Sequence, residues 1–457
     1  MPEKKEFEMK FLLPEMSVRI VFATFWLFLS GCASYGSISN LHKTNQPSEV
    51  EYSLKQTIQS QRSSDITLVL AFSGGGTRAA ALAYGVLQGL RDSSITLKGE
   101  THRLLDEIDL ISSVSGGSFT AAYFGLYKDQ IFTDFEDKFL RQNIEGALFS
   151  GLLSPSLWFS ERGRTEMAID HYDDTIFNGA TFADILRQSG PAIVINASDL
   201  GYGVRFSFLQ EYFDLLCSDL SSFPVARAVT ASSAVPLLFN PVVLQNYDNC
   251  AQPTSLAAGR DKSYIAKSPQ LMAVVDGLNS YARKDQRKYI HLVDGGLTDN
   301  LGLLAIYEMV EVAGGAQSFM DTIDGDIAQN FVVISVNAST KPQYQIDGSN
   351  KAPTVDDTIN AASDVQLHRS NATTLELFSK SMKRWSAELS QPGKPVRDYF
   401  IEIDFRQIAD RKRRVFVNQI PTSFSLQKEQ VDSLIEAGRE LLGAHPVFKK
   451  FLQDMNQ

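Results

Sequence analysis

Apolar positions along the chain fall into two kinds of block. Short runs with little polar alternation, rich in branched residues, occur at Ile66–Phe72, Ile108–Val114, Ala192–Ala197, Ile290–Val293 and Phe331–Val336. Runs of this length and composition predict strands buried on both faces. Ala79–Leu90 and the stretch from Phe119 to Tyr123 each follow a glycine-containing break and predict helices. Near the C-terminus Val431, Leu434, Ile435, Gly438, Leu441 and Leu442 share one helical face, which predicts a helix packed on the core. Strands spaced by helices predict an α/β fold of three layers, with a mainly parallel central sheet flanked by helices.

The first 65 residues follow a different pattern. Ile20–Leu29 is an apolar run behind Arg19, and it ends in Leu29-Ser30-Gly31-Cys32. It is too short for a membrane-spanning helix, which takes roughly 20 residues. A basic flank, a short apolar core and small residues describe an export signal. Leu-Ser-Gly-Cys resembles the lipobox of bacterial lipoproteins, and that resemblance implies a lipidated Cys32 as the first residue of the mature chain. Ala33 stands where an aspartate would imply inner-membrane retention, so the expected location is the outer membrane of a Gram-negative cell envelope. Glu3, Glu6, Glu8 and Glu15 are unusual in a signal, which makes Met16 an alternative start. Ala33 to Asp65 is polar and reads as a flexible tether. The expected division is a signal at 1–31, lipidated cysteine and tether at 32–65, and a folded body at 66–457.

Composition narrows the function class. The 457 residues are 44% hydrophobic, enough for a sizeable core. A net charge of −10 argues against a nucleic-acid partner, which calls for a basic footprint. No C-x-x-C pair and no H-E-x-x-H occurs, so neither a metal nor a cofactor is expected. With Cys32 acylated, Cys217 and Cys250 remain; in an exported chain they are expected to pair, two separate thiols being the alternative. Ala147–Phe159 is strongly apolar and interrupted by Gly151 and Pro155. It is either a core segment or a lid facing a bilayer. The cluster Arg411-Lys412-Arg413-Arg414 reads as a solvated turn, contact with lipid phosphates being the alternative.

Three strand-to-turn segments carry chemistry. Ser113-Val114-Ser115-Gly116-Gly117 joins a strand to a helix, with small residues on both sides of Ser115. This is the context of a nucleophile elbow, although serine and glycine also fill ordinary loops. Gly74-Gly75-Gly76-Thr77-Arg78 also lies between strand and helix. Its backbone N–H groups and the following helix N-terminus suit an anion. It lacks the Gly-Lys-Ser/Thr of a P-loop, and Ala79 stands where a dinucleotide fingerprint needs its last glycine. An oxyanion hole is the remaining functional reading, with Arg78 holding its shape or meeting a substrate phosphate. Asp294 ends a strand and precedes Gly295-Gly296, at a strand tip where α/β active sites form; a turn or capping role is the alternative.

Taken together, these segments resemble the patatin-like phospholipase family, whose motifs G-G-G-x-R-G, G-x-S-x-G and Asp-Gly-Gly run in this order. Ala231–Pro241 and Ile420–Phe424 also look like segments of its bacterial members, so the resemblance extends from Ile66 to the C-terminus. Ser113 and Ala79 replace glycines of the family pattern, and both are small enough to keep the turns. The resemblance implies a Ser-Asp dyad. Ser115 would be the nucleophile, Asp294 the general base and acid, and Gly74, Gly75, Gly76 and Arg78 the oxyanion hole. The implied activity is hydrolysis of fatty-acyl esters of phospholipids or lysophospholipids through an acyl-enzyme. Acyl transfer by the same site, or a catalytically idle envelope lipoprotein, are the alternatives. No histidine is needed: His445 lies past a helix end, where a cap is the simpler account, and His291 should face away from Asp294.

Overall fold

The computed structural model describes residues 36–43, 51–59, 65–144, 146, 163–236, 238–250, 262–341 and 350–456. The signal region, Cys32 and the apolar segment 147–159 lie outside the described residues. Among the described residues, no helix is long and apolar enough to cross a membrane.

Among the described residues the central sheet contains eight strands: β1 (Ile66–Phe72), β2 (Ile108–Val114), β3 (Ala192–Asp199), β4 (Val204–Ser207), β5 (Val242–Gln245), β6 (Tyr289–Val293), β7 (Asn330–Asn337) and β8 (Arg397–Asp404). Their spatial order is β8-β7-β1-β2-β3-β6-β5, with β4 also on β3. The pairs from β8 through to β3 are parallel, whereas β6 pairs antiparallel with both β3 and β5. Every residue of β2 and β3 is buried, which explains their unbroken apolar runs.

Helices cover both faces. The ones used below are α1 (Gly76–Arg91), α2 (Gly116–Tyr127), α3 (Val225–Ser232), α4 (Leu303–Val312), α5 (Val355–Leu389) and α6 (Lys428–Ala444). The apolar face expected on α6 is buried, and α6 lies along α1. The two helices touch backbone to backbone. A Cβ on Gly85 would collide with the carbonyl of Ile435, and one on Gly438 with that of Leu82.

Two expectations change. The segment read as a tether is partly structured: Leu41–His42 pairs with Ser218–Asp219, and Leu54–Gln59 is helical. Tyr52 is fully buried, donating to Ile193 O (3.0 Å) and accepting from Ile193 N (2.8 Å). The compact unit therefore runs from Gly36, not from Ile66. The polar composition concealed this because one aromatic anchor and a short strand pairing are enough to dock such a segment. The basic cluster is not a turn either. It opens a helix, Arg411–Asn418, capped by Asp410, whose carboxylate accepts from Arg413 N (2.7 Å). Arg413 also pairs with Glu436 and Glu440 of α6.

Cys217 and Cys250 form a disulfide, with Cα atoms 5.5 Å apart.

Candidate active site

Ser115 follows the last residue of β2 and precedes α2. Its backbone has φ 50° and ψ −124°, a conformation that strains any residue with a Cβ. Close packing accounts for the residues that follow. A Cβ on Gly116 would collide with the carbonyl oxygen of Gly76, and one on Gly117 would come within 2.7 Å of Ser73 O. The serine turn and the glycine loop are thus packed back to back, and only glycine permits that approach.

Asp294 reaches the same place from the opposite direction. Val114 pairs with Asn196 of β3, and Val293 pairs with Ser198. The parallel β2 and the antiparallel β6 therefore end at neighbouring levels of β3, and the residues after each end meet. Ser115 Oγ donates to Asp294 Oδ2 at 2.8 Å, and Gly296 N–H donates to Asp294 Oδ1 at 2.7 Å. Both side chains are largely buried, with Ser115 5% and Asp294 9% exposed. Burial pushes the Asp294 carboxyl up to about 6, against the bonds from Gly296 and Ser115, which pull it down. A carboxylate with a pKa near neutrality, bonded to a hydroxyl on a strained turn, suits proton abstraction from that hydroxyl.

The glycine loop lies against Ser115, since a Cβ on Gly74 would stand 3.3 Å from Ser115 Cβ. Its N–H groups are not equivalent. Gly74 N–H donates to Asn300 O (2.9 Å), and Thr77 N–H to Ser423 O (2.9 Å). Among the described residues no acceptor takes the N–H of Gly75 or Gly76, at the N-terminus of α1. Both residues have positive φ, 137° and 59°, which turns their N–H groups out of the strand direction.

Arg78 does not lie in the hole. Its buried guanidinium donates to Ala338 O (2.9 Å), Ile420 O (2.7 Å) and Thr422 Oγ1 (2.9 Å). It ties the loop to the segments after β7 and around Ile420, which leaves shape-holding rather than phosphate contact.

No histidine hydrogen-bonds Ser115 or Asp294 among the described residues. His291 is exposed on β6, and His445 caps the last helix, its Nδ1 accepting from Val447 N (3.2 Å). No group of three or more His, Cys, Asp or Glu is placed to hold a metal ion among the described residues. Sequence reasoning gave no role to Asn196, Ser232 or Asn300, all of which touch the site. Asn196 lay in the expected strand Ala192–Ala197, Ser232 in Ala231–Pro241, and Asn300 six residues past Asp294, but no local signal marked their side chains. Below the site, Asn196 Nδ2 bonds Ser112 Oγ (3.0 Å) and Ser113 O (3.1 Å), and its Oδ1 accepts from Ser207 Oγ (2.6 Å). The buried Arg205–Glu308 pair, at 2.9 Å, connects this cluster to α4.

A search of curated proteins finds no match. Among solved structures, human GIVD cytosolic phospholipase A2 is similar at 11% identity and a TM-score of 0.39, over 88% of this chain and 64% of that one. The same human protein in complex with methyl gamma-linolenyl fluorophosphonate is similar at 12% identity and a TM-score of 0.38, over 88% and 61%. The chain thus spans less than two thirds of these structures. The sequence profile described as patatin-like phospholipase matches residues 70–307, more than half of the chain, and that stretch contains the glycine loop, Ser115 and Asp294. The chain belongs to the patatin-like phospholipase family.

Proposed function

We propose that the chain hydrolyses fatty-acyl esters of phospholipids or lysophospholipids through a Ser115–Asp294 dyad. The observation that carries this reading is the 2.8 Å bond from Ser115 Oγ to a buried carboxylate whose pKa is raised toward neutrality. Asp294 takes the hydroxyl proton as Ser115 Oγ attacks the ester carbonyl carbon. The resulting oxyanion rests on the N–H groups of Gly75 and Gly76, where the positive end of α1 adds to them. Collapse breaks the ester C–O bond, and Asp294 returns the proton to the leaving alcohol. Asp294 then deprotonates a water that attacks the acyl-enzyme, releasing the fatty acid and free Ser115. This mechanism needs no third residue, because Gly296 N–H already orients the base.

The enzyme would meet its substrate at a membrane to which Cys32 anchors it. Several acyl chains on one cysteine hold firmly, at about 0.8 kcal/mol per buried methylene. The Cys217–Cys250 disulfide supports an exported chain, since such bonds persist in oxidising compartments.

The decisive experiment is mass-spectrometric product analysis on a mixed phospholipid panel, with Ser115→Ala as control. Free fatty acid and lysolipid from wild type alone are expected. Equal product from both proteins would remove the reading.

A further inference from the structure

The strain at Ser115 needs something to hold it, and the holding group is on α3. Ser115 N–H donates to Ser232 Oγ at 2.8 Å. Ser232 Oγ also lies 2.6 Å from Asn196 O and 3.0 Å from Ser118 Oγ. A carbonyl only accepts and an amide N–H only donates, so the directions are fixed. The single Ser232 proton goes to Asn196 O, and its lone pairs receive Ser115 N–H and the Ser118 hydroxyl. Ser232 has no exposed surface, so water cannot substitute for any of these bonds.

The same turn holds the base. Gly295 N–H donates to Ser232 O (3.0 Å), and Asp294 N–H donates to Ala234 O (3.0 Å). The end of α3 therefore grips the backbone on both sides of the Oγ–Oδ2 bond: the amide of the nucleophile through a side chain, and the amides of the base and its neighbour through carbonyls. It also removes Ser115 N–H from the oxyanion donors, which leaves that work to the glycine loop.

We propose that Ser232 is the positioning residue of the dyad, holding Ser115 in its strained conformation at hydrogen-bonding distance from Asp294. This rests on the hydrolase reading above. The carbonyl grip on Asp294 survives any side-chain change at this position, so Ser232→Ala should release the serine alone.

The test compares Ser232→Ala and Ser232→Thr with wild type. Turnover of a soluble p-nitrophenyl butyrate ester, the labelling rate of Ser115 by a fluorophosphonate, and thermal unfolding are measured on the full chain. Ser232→Ala is expected to fold, with kcat and labelling rate lower by about 10²-fold and KM within about twofold, because misplacement of a reacting group acts on the chemical step. Ser232→Thr, which keeps the hydroxyl, is expected to recover most of the rate. Wild-type kcat in Ser232→Ala would overturn the proposal. So would equal losses of rate and of melting temperature in both variants, since the hydroxyl would then not matter. Should Ser232→Ala fail to fold, Ser232→Cys offers a weaker acceptor of similar shape. A lower kcat at unchanged KM is then expected, and a wild-type kcat would overturn the proposal. A wild-type chain that neither turns over ester nor takes up the probe would overturn the hydrolase reading and this one with it. An active wild type beside an equally active Ser232→Ala overturns this one alone.

Discussion

In the proposed dyad Asp294 bears two opposed demands: a buried carboxylate is costly to keep charged, and a base must be charged to act. Unfolded, it titrates near its ordinary 3.8, and folded near 6. Between these values the folded chain holds the extra proton, so this group lowers stability progressively as pH rises from about 4 to 6, and the loss is complete above that. Asp294→Asn removes the buried charge and keeps the shape. We expect it to be more stable than wild type by on the order of 1–3 kcal/mol at pH 8, with the difference vanishing near pH 4. Its kcat should fall by about 10²–10⁴-fold. Denaturant melts at the two pH values check the first point, and a variant less stable than wild type at pH 8 would contradict it. In wild type, kcat/KM for a soluble ester should rise through a midpoint near pH 6, as the base loses its proton, and then level off. A flat profile from pH 5 to 8 would exclude Asp294 as the titrating base. Ser115 and Asp294 were legible in the sequence because each turn has a local steric signature of adjacent glycines. Ser232 was not, because nothing near it in the chain says that its hydroxyl ends up beside an amide 117 positions away.

At the scale of elements, β1, β2, β3, β6 and β7 were legible to within a residue or two from their apolar runs, whereas the shorter or more polar β4, β5 and β8 were not. The mainly parallel arrangement was expected from helices between strands, but the reversal of β6 was not. β6 has the composition expected of any buried strand, yet it runs against β3 and brings Asp294 in from beyond the ends of the parallel strands. Strand direction is set by the path of the connecting chain and by pairing partners, and neither is encoded in a five-residue pattern. The α1–α6 contact was half legible: the apolar face of α6, with Gly438 on it, was evident, but the helix it meets was not. Gly438 is one of two points of close backbone approach, opposite the carbonyl of Leu82. Gly438→Val should therefore cost at least about 2–3 kcal/mol, by forcing apart a tightly packed contact. A chemical-denaturation midpoint equal to wild type would contradict that. Arg78 makes the same point: its position beside the glycine loop suggested either holding the loop's shape or meeting a substrate phosphate, and its partners are those of a brace.

For the whole molecule, the N-terminal segment and the disulfide belong together. Lys43 N–H donates to Cys217 O (2.9 Å), and Leu41–His42 pairs with the two residues that follow Cys217. The disulfide closes a separation of 33 residues, which stabilises by roughly 3–4 kcal/mol on the chain-entropy model. The Cys217→Ser/Cys250→Ser double variant should lose about that much, read as a lower denaturant midpoint; no change would show that the bond constrains nothing the fold does not already hold. Anchoring is tested separately. Cys32→Ser should abolish incorporation of labelled palmitate and release the chain from the membrane fraction, and retained label would refute lipidation at that residue.

By itself the sequence determined where the chain turns, which stretches are buried, and that a serine, a glycine loop and an aspartate occur in an order shared with one family. These are consequences of local sterics and of apolar periodicity, and both act within a few residues. Only the tertiary structure decided which N–H groups of the glycine loop lack an acceptor among the described residues, that Arg78 braces the loop, that residues from Gly36 belong to the body, and that Ser232 bonds the backbone of Ser115. Each of these depends on which distant group fills a hydrogen bond, and burial makes that choice by removing the water that would otherwise have filled it.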